Sequence, residues 1–250
     1  MALSQTQLNQ SSAGAEPFFG KVHRAFFALC LLLGPLCVSA WFGLCPEYGN
    51  PACPVGSSAT LAAFRAANPL LLQLFFIVSF ISAYVYPLSY LILGRLAMQR
   101  APWLATIGIA CGFVGSVVWS LFAGETFWLA AAAQVDVDAA FLLVGHTYVT
   151  NWAVLAMHGG WVLGHLLGYV LLGIALLRAR VIPRWAAWLF IGSPLVMGPI
   201  AYGTGLGLLQ VLGYVLIFIG SIPAALAIVK MRDGPAQAIA PTDEGRTPTR

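Results

Sequence analysis

Apolar residues in this chain fall into six long blocks, at about Ala25–Leu44, Leu70–Leu93, Trp103–Ala123, Trp152–Leu177, Trp185–Tyr202 and Leu206–Val229. Each is close to the roughly 20 residues that a helix needs to cross a hydrocarbon core. A span in lipid must satisfy its own backbone hydrogen bonds, and these blocks are too long and too continuous for barrel strands of about 10 alternating residues. They therefore predict helices. The expected fold class is all-α, a polytopic membrane bundle of six transmembrane helices.

Composition agrees, since a chain that is 60% hydrophobic and 8% charged falls far below the roughly 25% charge of a soluble domain. The placement of the charges then sets an orientation. Lys21 and Arg24 precede the first block, Arg95 and Arg100 follow the second, Arg178, Arg180 and Arg184 separate the fourth from the fifth, and Lys230 and Arg232 follow the sixth. With six spans these lie on one side, which the positive-inside rule makes cytoplasmic. The other side carries Arg65 in its first loop and Glu125, Asp136 and Asp138 around its second. The expected topology is N-in and C-in, in the cell (plasma) membrane, with two substantial external loops.

The net charge of +4 is spread over loop ends and the tail, which reads as topology and not as a nucleic-acid patch. Residues 1–20 are polar and residues 233–250 mix Pro, Gly, Thr and both charge signs. Both segments are expected to be disordered and cytoplasmic, flanking a transmembrane domain over 21–232. A rival exists at the N-terminus, where Lys21 and Arg24, an apolar run and Val38-Ser39-Ala40 imitate a cleaved signal. The long polar leader and the length of the apolar run argue against it. Halving the chain gives two sets of three spans, but no residue pattern recurs between them, so simple up-down packing is expected over an inverted repeat.

Cysteines divide by depth. Cys30, Cys37 and Cys111 lie inside apolar blocks, where Cys packs as a small hydrophobe. Cys45 and Cys53 sit in the first external loop, where an oxidising compartment and Pro and Gly turn residues favour a disulfide over free thiols. The loop has no His or second Cys pair to make it a zinc site, so no metal is expected.

Polar residues inside the blocks are the candidate functional groups. Asn151, His158 and His165 recur every seven residues, a single stripe that drifts only about 20° per step, and Tyr169 continues it. Gly160, Gly164 and Gly168 form a neighbouring row that allows another helix, or a partner membrane protein, to approach closely. In the second block Ser79, Ser82, Tyr86 and Ser89 share a face, with Pro87 expected to bend the helix, and in the sixth Gln210, Tyr214 and Ser221 do the same. Convergence of the three faces would line a polar cavity. The ordinary roles stand beside this: Ser bonding its own preceding carbonyl, Tyr and Trp at span ends as belt anchors, Gly as packing. Two intramembrane histidines on one face, roughly 10 Å apart along the axis at 1.5 Å per residue, point to function more strongly.

The available chemistry is narrow, and the cofactor is left unassigned. Bis-histidine haem would need a partner at matching depth, whereas His23 and His146 lie at a helix end and in a loop. Single-histidine haem or a quinone remains open. Glu125, near the outer end of the third block, is placed to meet His146 or Asn151 as an acid–base pair, which gives His158, His165 and Glu125 as candidate catalytic residues. Asn151, Tyr86, Gln210 and Tyr214 would line the cavity. No nucleophile elbow, HExxH helix, phosphate loop or dinucleotide fingerprint occurs.

The run Gly164-His165, then Leu171-Leu172-Gly173-Ile174-Ala175-Leu176, then Arg178-Ala179-Arg180-Val181-Ile182-Pro183-Arg184-Trp185-Ala186-Ala187-Trp188 resembles the fourth-to-fifth span hairpin of small, uncharacterised six-span bacterial integral membrane proteins. The resemblance covers about a quarter of the chain and implies a Pro-Arg-Trp cytoplasmic turn, with no activity to carry over. Three readings follow, in order: a non-catalytic membrane module (accessory, sensor or self-protection), an intramembrane enzyme on a lipid or isoprenoid ligand, and a transporter or proton pathway. Membrane lipids are the expected surroundings of all three. The Cys45–Cys53 disulfide is the part most directly checked: intact mass after alkylation should change only when reductant is added first. Labelling of both thiols without reduction, in protein isolated under oxidising conditions, rules it out.

Overall fold

The computed structural model describes residues 18–46, 58–134, 151–204 and 206–231, and among them there is no strand. The helices are α1 (Phe18–Leu44), α2 (Ser58–Ala66), α3 (Pro69–Ala97), α4 (Pro102–Ala133), α5 (Trp152–Ala179), α6 (Arg184–Leu195), α7 (Ala201–Thr204) and α8 (Leu208–Lys230). Five of them contain stretches long and apolar enough to cross a membrane: Gly20–Leu44, Pro69–Ala97, Pro102–Leu121, Ala156–Ala179 and Leu208–Lys230. The architecture fits a multi-pass membrane protein.

The remaining apolar block, Trp185–Tyr202, is helical but not one regular helix. Pro194 and Pro199 lack the N–H that the i−4 ladder requires, and between α6 and α7 the chain makes a π-helical turn over Val196–Ile200. The N–H of Ala201 reaches back to the carbonyls of Gly198 and Val196. The Gln210 side chain donates to Met197 O at 2.6 Å, so a polar residue expected to face a cavity here secures the irregular turn to α8. Met197 in turn packs where a Cβ on Gly213 would lie 2.0 Å from its Cγ.

Helix ends follow the local sequence. Asn68 accepts from the N–H groups of Leu70 (2.9 Å) and Leu71 (3.4 Å) ahead of Pro69, and Asn151 accepts from Ala153 at 2.9 Å. The end of α5 turns through Arg180 in the left-handed region, φ 55°, whose N–H returns to Leu176 O. Arginines from other elements close two helix C-termini: Arg65 of α2 donates to Ala133 O at 2.8 Å, and Arg100 donates to Ala179 O at 2.9 Å. Each satisfies a carbonyl left over by the helix and places a cation at its negative end.

Packing runs in a closed ring, with α1 against α3 and α8, α3 against α4, α4 against α5, α5 against α6, and α6 against α8; α3 and α5 also meet across the ring. The distribution of polarity is inverted relative to a soluble protein. Ser79, Ser82, Ser89, Ser116, His165, Gln210 and Ser221 are buried, while Leu70, Phe80, Leu163 and Leu208 are exposed. Apolar outward faces suit a hydrocarbon solvent, and buried polar groups then have to find partners inside.

The tightest approach is between α4 and α5. A Cβ on Gly168 would lie 2.6 Å from Gly112 Cα, one on Gly164 2.8 Å from Cys111 O, and one on Gly115 2.6 Å from His165 N. No side chain fits between these backbones, so glycine is required at the contact. Gly160, the outer member of the same row, meets nothing within 4 Å among the described residues. Gly168→Ala is therefore expected to destabilise the bundle by about 1–3 kcal/mol through overpacking, whereas Gly160→Ala should be neutral or mildly stabilising. Thermal unfolding of the two variants in detergent, followed by tryptophan fluorescence, checks this; equal shifts would show that the seam does not hold the bundle.

Candidate functional site

The polar faces of α3, α5 and α8 do converge. Tyr86 of α3 and Tyr214 of α8 bring their hydroxyls to 3.4 Å, and Tyr86 and Tyr90 to 2.8 Å. Tyr90 also points its hydroxyl at His165 O, 3.5 Å away on α5. The Tyr169 ring lies 4.6 Å from that of Tyr90. Its hydroxyl is buried and has no hydrogen-bond partner among the described residues. All four tyrosines are fully buried.

His165 sits at the edge of this phenol cluster and is 2% exposed. Its Nδ1 is 2.5 Å from Trp161 O one turn back, and because a carbonyl can only accept, Nδ1 carries the proton. Its Nε2 is buried and has no partner among the described residues. In the uncharged ring Nε2 offers a lone pair. The imidazole lies between Trp161 (centroids 4.5 Å apart, planes 24°) and Tyr214 (6.4 Å, 14°).

Further rings join this pair of contacts. Trp119 of α4 stacks on Trp161 at 5.8 Å and 25°, and Phe42 of α1 stacks on Tyr214 at 5.6 Å and 18°. Trp41 closes against Trp119 edge-on at 4.8 Å. Four helices thus supply a closed circuit of rings, Trp119, Trp161, His165, Tyr214 and Phe42, near-parallel from each to the next except where Phe42 meets Trp119 again at 5.9 Å and 38°. Trp119 also donates its indole N–H to Ser82 Oγ at 3.0 Å, which fixes α4 to α3 beside the cluster.

The serines take their ordinary role. Ser79 donates to Phe75 O (2.7 Å), Ser82 to Ser79 O (2.8 Å), Ser89 to Tyr86 O (2.6 Å), Ser221 to Ile217 O (2.9 Å), and Ser116 to Gly112 O. The histidine stripe fades outward: His158 is only half-buried and Asn151 is an exposed helix cap. Glu125 lies in α4, but its side chain is outside the described residues, as are Asp136, Asp138, His146 and Cys53. The acid–base pairing and the disulfide therefore fall outside what the structure describes, although Cys45 is buried at the end of α1. Among the described residues no trio of His, Cys, Asp or Glu is placed to hold a metal ion.

Several residues of the cluster were not legible as site residues. Tyr90 follows Tyr86 at i+4 and Trp161 precedes His165 at i−4, spacings that place each pair on one helix face. Trp41, Trp119 and Trp161 fit the sequence pattern of interface anchors but are buried, unlike Trp103 and Trp152, which are 81% and 80% exposed. The chain matches no known family profile, no curated protein and no solved structure, so the site rests on its own geometry.

The hydroxyl link is open to direct measurement. A double-mutant cycle of Tyr86→Phe and Tyr90→Phe should return a coupling of about 0.5–1.5 kcal/mol, the worth of one buried neutral hydrogen bond. Tyr84→Phe on the exposed face of α3 should change stability by less than either. A coupling of zero would mean that the two hydroxyls do not bond.

Proposed function

We propose that this chain is a six-span protein of the cell membrane with both termini in the cytoplasm, and that it works as a non-catalytic binding or sensing module. Its binding group is the core formed by His165 with Tyr86, Tyr90, Tyr169 and Tyr214. The observation that carries this reading is the state of His165: an imidazole packed against two rings, one nitrogen engaged by its own helix and the other a buried acceptor with no partner among the described residues. A general base for membrane-lipid chemistry has to meet a proton on a bound substrate, and a transport path has to connect two aqueous sides. The described core instead closes over the imidazole with indole and phenol rings, an arrangement suited to recognition. The broken segment α6, the π-turn and α7 form the remaining span, with the Met197 carbonyl of its irregular turn satisfied by Gln210.

Two measurements test the reading. A reporter after Arg250 should be active only in the cytoplasm, with tags near Ser57 or Asp138 reached from outside; internal placement of both tags would overturn the topology. Purified wild-type protein should retain a lipophilic small molecule, detectable by mass spectrometry and recovered unchanged after incubation, that His165→Leu loses while inserting and expressing normally. Steady conversion of the retained molecule would show an enzyme instead. Equal recovery from the His165→Leu variant would remove His165 from the function.

A further inference from the structure

Resting on the membrane placement proposed above and on no residue of the His165 core, we infer that the protein holds an anionic phospholipid on the outward face of α5. The lipid phosphate lies among Arg100, Arg178, Arg180 and Arg184, and its acyl chains run along the helix. The structure brings these arginines to one corner of the bundle. Arg100 donates to Ala179 O at 2.9 Å, so the α3–α4 turn, residues 98–101, lies against the end of α5, where Arg178 and Arg180 flank Ala179 in the chain. Arg184 opens α6 four residues after Arg180. All four arginines are exposed, and Arg100 engages the carbonyl through one nitrogen only, leaving the rest of its planar fork for an anion.

Arg180 adds an argument from strain. It is the only non-glycine residue with positive φ among the described residues, at 55°, in a helix-end position that glycine fills without steric cost. Its backbone N–H returns to Leu176 O, a task glycine performs equally well. No contact of its side chain among the described residues accounts for an arginine at this strained position, so the guanidinium serves a partner outside the bundle.

The apolar half of the site is the strip Leu163, Leu167, Leu171 and Ile174, which leads to Arg178 in steps of three and four residues and so keeps to one helix face. Leu163 and Leu167 are exposed, and Leu171 and Ile174 are half-buried. α4 meets α5 at Gly164 and Gly168, and α6 meets it at Gly173, so the two neighbours border the strip without covering it. At the arginine end Trp103 of α4 and Trp185 and Trp188 of α6 are exposed, indoles of the kind that settle at headgroup depth. An acyl chain along Leu171 and Ile174 thus brings a phosphate to the level that the tryptophans mark. Charge then selects the headgroup: each cation near the surface adds attraction for an anionic lipid, and guanidinium pairs with phosphate oxygens in a bidentate fork.

The test uses the full chain in non-ionic detergent and native mass spectrometry, with dioleoylphosphatidylglycerol and dioleoylphosphatidylcholine, which share acyl chains, added at equal concentration. Wild-type protein should retain the anionic lipid about tenfold over the zwitterionic one, the scale of two arginine–phosphate contacts. In the double variant Arg178→Gln, Arg180→Gly the preference should fall to parity; glycine suits the left-handed backbone at 180, so this variant is expected to fold. The same loss of charge in Lys21→Gln, Lys230→Gln, on α1 and α8, which pack against each other and do not neighbour α5 in the ring, should leave most of the preference in place. Parity in the wild type would overturn the inference without any variant having to fold. An equal drop in both double variants would overturn it too, by showing diffuse attraction to the basic side of the protein. Displacement of bound lipid by soluble glycerophosphoglycerol at the lipid's own concentration would remove the α5 strip from the site and with it the lipid assignment. His165→Leu should leave the preference unchanged, and a preference measured in detergent does not depend on which side the turns face, so failure here is distinct from failure of the His165 role or of the topology.

Discussion

The contact on which the rest of the bundle depends is the meeting of two backbones that carry no side chains where they touch. Gly112 and Gly115 of α4 lie against Gly168 and Gly164 of α5, with the close distances involving backbone atoms throughout. In hydrocarbon, helices gain nothing by hiding apolar surface from water, so association rests on contact area and on polar groups that find each other. Bringing two helix axes close supplies that area. It also sets the position of His165, whose own backbone N would lie 2.6 Å from a Cβ on Gly115.

From that seam the polar core follows with little freedom. Once α5 is drawn against α4, Trp161 reaches Trp119, and Trp119 reaches Ser82 on α3. The tyrosines of α3 then face Tyr169 and Tyr214, and the hydroxyls of Tyr86, Tyr90 and Tyr214 link to one another because lipid offers them nothing. Arg65 and Arg100, at two helix ends, tie α2 and the α3–α4 turn to the carbonyls they cover. Arg65 thereby has a local task in holding α2 to the end of α4.

Much of this was readable before the structure because membrane physics is strict. Continuous apolar runs of spanning length gave the helices, and the polar stripes led by Tyr86, His165 and Tyr214 are the ones that converge. The glycine row was legible as a packing device, though only Gly164 and Gly168 serve in it. Other features were hidden for physical reasons. A tryptophan near a span end has the same sequence signature whether it points outward, as Trp103 does, or turns inward, as Trp119 does. The π-turn needed knowledge of where the chain leaves i−4 bonding beside Pro194 and Pro199, and of which neighbour, here Gln210, bonds Met197 O inside it. Cavity-lining polarity and backbone repair look alike in a sequence, and only neighbours separate them.

Gly112 carries two neighbours at once. A Cβ there would lie 2.1 Å from the Tyr90 ring, while the same residue's Cα receives Gly168. The missing side chain that admits α5 is therefore also the seat of the phenol that leads toward His165. Scaffold and site share one atom-sized space, so they cannot drift apart by separate substitutions. Enlarging this position would have to rebuild the helix pair and the tyrosine cluster in the same step.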